Sequence, residues 1–161
     1  MMHNKKIIKY EVKKILSNSR YKHALKVAEY AKALSKIYGL ESNKAYIAGL
    51  IHDIAKEFSK TKIVALSKKN KEFKKYPSIK SLHGIASAHY AKNKLDINDT
   101  EILDAVSNHV ISKKNVSMLS MILFIADKLE SSKITNVEKY KILAENNIRK
   151  CFLLLYKNFK R

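Results

Sequence analysis

The chain has 161 residues, of which 46% are hydrophobic, so it is long enough for one domain with a hydrophobic core and too apolar for a disordered protein. No apolar run reaches the length of a membrane span, and the N-terminal stretch MMHNKKIIKYEVKK lacks the apolar centre of a secretory signal. The single cysteine, Cys151, excludes an internal disulfide. We therefore expect a cytoplasmic protein whose residues 1–161 form a single domain.

The charge of the chain is strongly basic, with 33 lysines and arginines against 14 acidic residues and a formal net charge of +19. Few of the basic residues are arginines, and the lysines are spread along the whole chain instead of clustering in one stripe. Proteins that read nucleic acids favour arginine forks and aromatic platforms, so this pattern disfavours nucleic-acid binding. The positive field would instead concentrate a polyanionic substrate. A lysine-rich nucleic-acid-binding protein with structural histidines remains the alternative from a different class.

Apolar residues recur at helical spacing along almost the whole chain, and no stretch shows the alternation of a strand. The pattern predicts an all-α helical bundle of about seven or eight helices. The predicted helices span 5–17, 20–38, 42 to between 53 and 56, a short fourth from Ser59 or Thr61, 81–94, 99–109, 117–130 and 137–158. The segment 68–80, KKNKEFKKYPSIK, is the most loop-like part of the chain.

Several helix ends carry residues that cap helices. Gly39 is predicted to end the second helix, because glycine adopts the left-handed backbone found at helix C-termini. Ser42 and Ser117 are predicted to cap the third and seventh helices. Asn98, followed by Glu101 three residues later, resembles a capping box for the sixth helix.

The stretch GLIHDIAKE, residues 49–57, places a histidine and an aspartate inside an apolar run. Burying the Asp53 carboxylate costs several kcal/mol unless a positive charge meets it. Further histidines and acids lie on the inward faces or at the ends of other helices. The full set of candidates is His23, His52, Asp53, His83, His109 and Asp127.

Taken singly, each candidate has a structural explanation. A lone histidine at a helix end is commonly a core or cap residue, and Asp127 could pair with Lys128 or Arg20. Taken together, imidazole and carboxylate groups suit transition metals. Six ligands with one bridging carboxylate would serve two metal ions about 3.5–4 Å apart. Spacing alone leaves both interpretations open, because the candidates come from separate helices.

The order His…His-Asp…His…His…Asp on an all-α chain resembles the HD-domain metal phosphohydrolases. The stretch RYKHALKVAEYAKALSKIYGLESNKAYIAGLIHDIAKE is similar to the N-terminal half of the YqeK-type family. Members of that family are symmetrical diadenosine tetraphosphate hydrolases, which split the dinucleotide into two ADP with bound iron. The stretches LHGIASAHYA, DAVSNHV, SMLSMILFIADKLE and NVEKYKILAENNI follow in family order, so the resemblance covers nearly the whole chain.

The resemblance implies that the six candidates hold two metal ions, with Asp53 bridging them. Iron is the metal implied, while manganese, cobalt and zinc stay open because they accept the same ligands. Asp53 and Lys56 are the expected catalytic residues, since Lys56 lies one turn after His52 in the HDxxK motif and would bind phosphate or stabilise the leaving group. Lys133 is a further candidate for the phosphate clamp. Arg20 is expected first as an ion-pair partner for an acid of the third helix and second as a substrate contact.

Two segments depart from the family pattern, and the resemblance implies that both lie near the substrate phosphates. Val110, Ile111 and Ser112 replace a Thr-Thr-Gly-like turn, and ESSK, from Glu130 to Lys133, replaces Glu-Pro-x-Arg. A lysine keeps the charge of an arginine but not its bidentate fork. The resemblance implies that the substrate is a dinucleoside polyphosphate. The alternatives are that the chain hydrolyses another nucleotide, or that it is a catalytically impaired metal-binding protein. The apolar stretch CFLLLY serves either the core or a homodimer interface.

Overall fold

The computed structural model describes residues 4–76, 78–110, 113–131 and 133–159. These ranges contain nine α-helices and no strand, which confirms the all-α prediction. The helices are α1 (Lys5–Ile15), α2 (Asn18–Ile37), α3 (Ser42–Ile51), α4 (Lys60–Ser67), α5 (His83–Lys94), α6 (Thr100–Asn108), α7 (Met118–Leu129), α8 (Val137–Asn146) and α9 (Ile148–Phe159). Ile111, Ser112 and Ser132, from the two segments that depart from the family pattern, lie outside the described residues.

The predicted loop between α4 and α5 contains two short 3₁₀ helices, Phe73–Lys75 and Ile79–Leu82. None of the helices in the described part of the chain is both long enough and apolar enough to cross a membrane. The CFLLLY stretch of α9 is divided between core and surface, with Cys151, Phe152 and Leu155 buried and Leu153 and Leu154 exposed.

Helix α3 lies at the centre of the fold, and every residue from Ala45 to Ile51 is buried. Gly49 lets α3 approach α2 closely, because a Cβ atom there would lie 2.6 Å from the Cα atom of Ala28. Helix α7 is the other buried helix, with nine buried residues. The close contact between α2 and α3 brings the end of α3 next to the inward face of α2, where His23 lies.

Three predicted helix ends are confirmed. Gly39 adopts a left-handed backbone, with φ of +69°, directly after the C-cap residue of α2. The Ser59 hydroxyl accepts a hydrogen bond from the Lys62 amide at 3.3 Å at the start of α4. The Ser117 hydroxyl accepts one from the Ser120 amide at 3.1 Å at the start of α7.

The prediction of one last helix over 137–158 was wrong, because the chain breaks at Asn147 into α8 and α9. Asn147 has φ of −155° and ψ of 84°, outside the helical region, and its Oδ1 atom accepts a hydrogen bond from the Lys150 amide at 3.0 Å. The break is held from outside by Tyr38, whose hydroxyl donates to the Ala144 carbonyl at 2.5 Å and accepts from the Ile148 amide at 2.9 Å. An asparagine cap therefore interrupts a pattern of apolar residues that continues on both sides.

Two predicted caps are displaced by one residue. Asp99, not Asn98, caps α6, and its Oδ1 atom accepts hydrogen bonds from the Glu101 and Ile102 amides at 3.0 and 3.2 Å. The Glu101 carboxylate pairs with Lys44 at 3.0 Å, so it is not part of a capping box. At α3 the N-cap is Glu41, without a side-chain hydrogen bond, and Ser42 is the first helical residue.

Candidate metal centre and substrate pocket

Three buried histidines at helix ends share one orientation. In each, the Nδ1 atom lies within hydrogen-bond distance of the carbonyl oxygen three residues earlier: His52 with Gly49 at 2.6 Å, His83 with Lys80 at 2.6 Å and His109 with Val106 at 2.7 Å. Because a carbonyl only accepts hydrogen bonds, Nδ1 carries the proton. Each Nε2 atom then presents its lone pair to the interior of the protein, which is the arrangement that metal-ligating histidines use.

The Asp53 carboxylate lies at the point where these histidines meet, in the turn that follows α3. Its Oδ1 atom is 3.1 Å from His83 Nε2 and 3.4 Å from His109 Nε2. Its Oδ2 atom is 3.6 Å from His52 Nε2 and 2.9 Å from the Nη1 atom of Arg20. The two oxygens of one buried carboxylate therefore face two different histidine groups.

Asp127 completes the group around His52. Its Oδ1 atom is 3.3 Å from His23 Nε2 and 3.5 Å from His52 Nε2. The potential ligand atoms form two sets, each within 4.8 Å: His23, His52 and Asp53, and Asp53, His83 and His109. The structure thus brings all six sequence-predicted ligand candidates together, with Asp53 common to both sets. We call these six residues the His/Asp cluster.

The electrostatics of the cluster fit a bound cation. Burial raises the pKa of the Asp53 carboxyl, but the His52, His109 and His83 imidazoles around it outweigh burial and hold that pKa well below its usual value. Burial lowers the pKa of His109 to about 4, so that ring is neutral at pH 7. The His52 Nε2 atom is buried and has no hydrogen-bond partner among the described residues. Imidazole nitrogens that face carboxylate oxygens at 3–4 Å are a transition-metal donor set.

A cavity of about 530 Å³ opens over the His/Asp cluster. Four cationic side chains line it: Arg20, Lys56, Lys128 and Lys133. The Lys56 ammonium lies 3.2 Å from His83 Nε2, and desolvation lowers the pKa of that ammonium. Lys133 is exposed and lines the pocket from the segment after α7. Val110, which follows His109, also lines the pocket. The pocket therefore combines a buried His/Asp cluster with a positively charged wall.

Residues 20–132 match the HD domain family. The chain belongs to the HD domain family. A crystal structure from Clostridium acetobutylicum, described as a "predicted HD superfamily hydrolase involved in NAD metabolism", superposes with a TM-score of 0.86 at 30% identity and covers 98% of this chain and 86% of that one.

Curated relatives carry names that describe nucleotide chemistry. A symmetrical bis(5'-nucleosyl)-tetraphosphatase of Halalkalibacterium halodurans is 31% identical over 140 residues, which are 85% of this chain and 75% of that protein. A probable nicotinate-nucleotide adenylyltransferase/Ap4A hydrolase of Mycoplasma genitalium is 31% identical over 153 residues, which are 91% of this chain. The chain spans only 44% of the length of that relative and 35% of its counterpart in Mycoplasma pneumoniae.

In this HD domain, the start of α2 is tied to the turn after α3 by two contacts. Glu57 accepts hydrogen bonds from the Ser17 amide at 2.8 Å and from the Ser17 hydroxyl at 2.6 Å. Three residues further on, Arg20 forms its ion pair with Asp53. The Arg20 side chain is about a third exposed and also lines the pocket, so the residue that neutralises Asp53 is within reach of a bound ligand.

The HD domain also contains a pocket cation that the sequence analysis considered only as a partner of Asp127. The Lys128 Nζ atom is 2.7 Å from Asp127 Oδ2, and the side chain is 15% exposed. It lies 5.0 Å from the ring centre of Phe124 and 5.6 Å from that of Phe159. Lys128 follows Asp127 directly in the ADKLE stretch, so the sequence shows that they are neighbours. Nothing in the sequence around Phe159 predicts that it lines the pocket, because its position there depends on how α9 packs against α7.

Proposed function

We propose that this HD domain, acting as one unit over residues 1–161, hydrolyses diadenosine tetraphosphate symmetrically into two ADP. The observation that carries the proposal is the division of the Asp53 carboxylate between two histidine groups, which suits two metal ions bridged by one ligand. The name of the Halalkalibacterium halodurans relative supports the substrate and the position of the cut. The cationic pocket supports a polyanionic ligand.

The residues of the His/Asp cluster would hold the two metal ions as two overlapping sets. His23, His52 and Asp127 would serve one ion, His83 and His109 the other, and Asp53 both, with iron as the metal that the family resemblance implies. When bound, such ions generate a nucleophile from water near neutral pH and neutralise charge on phosphate oxygens. The carbonyl partners of His52, His83 and His109 would fix the ring orientations that this requires.

Symmetrical cleavage breaks the P–O bond between the second and third phosphates, adds the oxygen of water to one phosphorus and releases the bridging oxygen with the other ADP. Negative charge therefore develops on the leaving diphosphate. The Lys56 ammonium lies at the His/Asp cluster, 3.2 Å from His83, and is already partly desolvated. We assign to Lys56 the stabilisation of this charge, because a preorganised cation in a dry site acts more strongly than one in water.

The other pocket cations would bind the phosphates that do not react. Lys133 is exposed and reaches the pocket from a segment without regular structure, so it suits a flexible contact with an outer phosphate. Arg20 forms an ion pair with Asp53, so we assign it mainly to that pair and only secondarily to phosphate binding. Lysine at position 133 gives charge without a bidentate fork, so we expect it to contribute to affinity more than to orientation.

The test is one preparation with two measurements. The protein is purified anaerobically, its metals are determined by elemental analysis, and it is incubated with diadenosine tetraphosphate while nucleotides are separated by chromatography. About two metal ions per chain and ADP as the only product support the proposal. AMP with ATP as products would contradict the symmetrical cut. Absence of metal would contradict the metal centre and favour the nucleic-acid-binding alternative, which salt-sensitive binding would then test.

A second candidate is hydrolysis of another nucleotide by the same centre, and Val110 is the observation that favours it. Val110 lines the pocket directly after His109, where the YqeK-type pattern carries a hydroxyl. An apolar side chain there removes a hydrogen bond to a phosphate oxygen or a sugar. Comparing turnover of diadenosine tri-, tetra- and pentaphosphate with that of nucleoside monophosphates separates the two candidates, because the His/Asp cluster is common to both.

A further inference from the structure

One aromatic ring lies in the wall of a pocket that is otherwise polar. Among the described residues that line the pocket, Val110 and Phe159 are the only apolar ones, and the rest are charged, histidine or serine side chains. Phe159 is the last residue of α9 and is half-buried, packed on the core with part of its ring towards the cavity. The phosphate chemistry assigned above gives this ring no role.

Phe159 is held at a defined place relative to the His/Asp cluster. Lys128 lies over its ring at 5.6 Å from the ring centre, and the same ammonium is 2.7 Å from Asp127 Oδ2. A cation–π contact and an ion pair therefore connect the ring to a residue of the cluster.

We propose that Phe159 is a substrate-binding residue on which the base of the bound nucleotide stacks. The inference rests on the proposed function, because it takes the phosphates to lie at the His/Asp cluster. Val110 is the only other apolar side chain among the described residues of the lining, whereas an aromatic face accepts a base by stacking. Lys128 then lies close to both the base and the phosphates, since its ammonium contacts the Phe159 ring on one side and Asp127 of the His/Asp cluster on the other.

Packing on the core is the other role that Phe159 could have. The test therefore compares one substitution that removes the aromatic ring with one that keeps it. Phe159→Leu keeps an apolar side chain of similar volume but removes the aromatic face. Phe159→Tyr keeps that face. Leu154→Ala is the matched control, because Leu154 lies on the same helix and is 43% exposed away from the pocket lining.

Titration calorimetry of the metal-loaded protein with ADP and with inorganic pyrophosphate separates base binding from phosphate binding. In Phe159→Leu we expect ADP to bind about tenfold more weakly and pyrophosphate to bind within about twofold of wild type. In Phe159→Tyr and Leu154→Ala both ligands should bind as in wild type. The inference is overturned if Phe159→Leu binds ADP as tightly as wild type does, or if ADP and pyrophosphate weaken equally.

The same titration distinguishes this inference from the proposed function. If wild type binds ADP through Phe159 but does not cleave diadenosine tetraphosphate, the proposed reaction is wrong and the base-binding role stands. If wild type cleaves the dinucleotide and Phe159→Leu leaves ADP affinity unchanged, the reaction stands and the base-binding role is overturned. Wild type that binds pyrophosphate but gains nothing from the nucleoside of ADP also overturns it.

Discussion

The Nε2 atom of His52 lies 3.6 Å from the Oδ2 atom of Asp53, the next residue in the chain, and both side chains are almost fully buried. Adjacent residues on a regular helix point about 100° apart, and α3 ends at Ile51, directly before this pair. The following turn is closed by hydrogen bonds from Ile54 to Ile51 at 3.1 Å and from Lys56 to Asp53 at 2.9 Å. The end of the helix therefore lets neighbouring residues face one centre.

Asp53→Ala tests the shared ligand. Removing the carboxylate common to both histidine groups should abolish metal binding and reduce turnover at least about a hundredfold, while the far-ultraviolet circular dichroism stays helical. Elemental analysis and the chromatographic assay measure the two losses on one sample. Asp104→Ala is the control, since Asp104 lies on α6 outside the metal pocket. Retained activity in Asp53→Ala would remove the bridging role.

Lys56→Ala tests charge stabilisation in the transition state. Because its ammonium lies at the His/Asp cluster and is partly desolvated, its loss should lower kcat about a hundredfold with little change in KM. Metal content should be unchanged, and Lys56→Arg should recover part of kcat. Lys60→Ala, at the start of α4, is the control. A lowered metal content with normal kcat per metal would show that Lys56 supports the cluster instead.

Lys133→Ala tests the outer phosphate contact. An exposed lysine that binds equally in ground and transition states should raise KM several-fold and leave kcat within about twofold. The effect should shrink as the salt concentration rises, since the contact is solvent-exposed. Lys139→Ala provides the control, because Lys139 is exposed on α8 and does not line the pocket. An unchanged KM would exclude Lys133 from the phosphate clamp.

The sequence predicted the histidines and acids of the cluster and three of the cations that line the pocket, Arg20, Lys56 and Lys133, but not the pocket positions of Lys128 and Phe159. His52 and Asp53 were recognisable because polar residues in a run as apolar as GLIHDIA need a reason to be buried. Phe159 and Lys128 meet through the packing of α9 on α7, which periodicity does not encode. The break at Asn147 was missed because apolar residues continue on both sides and only one capping side chain marks it.

Tyr38→Phe tests how the break between α8 and α9 is held. Its hydroxyl bonds both the Ala144 carbonyl and the Ile148 amide, so the substitution leaves two backbone groups without their partner. We expect a loss of about 1–3 kcal/mol in the free energy of unfolding, measured by urea denaturation. Tyr10→Phe, at an exposed tyrosine of α1, should change nothing. Equal stability of Tyr38→Phe and wild type would mean that Asn147 alone maintains the break.

Asp99 gives a prediction about acid stability at a distance from the pocket. Burial raises the pKa of Asp99, but Lys44 and the amides of Ile102 and Glu101 outweigh burial and lower it. A carboxyl whose pKa is lower in the folded state contributes stability above its unfolded pKa, about 3.9, and loses it as the pH falls through the folded pKa. Asp99→Ala should therefore lower the free energy of unfolding by about 1 kcal/mol at pH 7. The difference from wild type should shrink as the pH falls below 4, and a difference that stayed constant down to pH 2.5 would show that the charge of Asp99 contributes nothing.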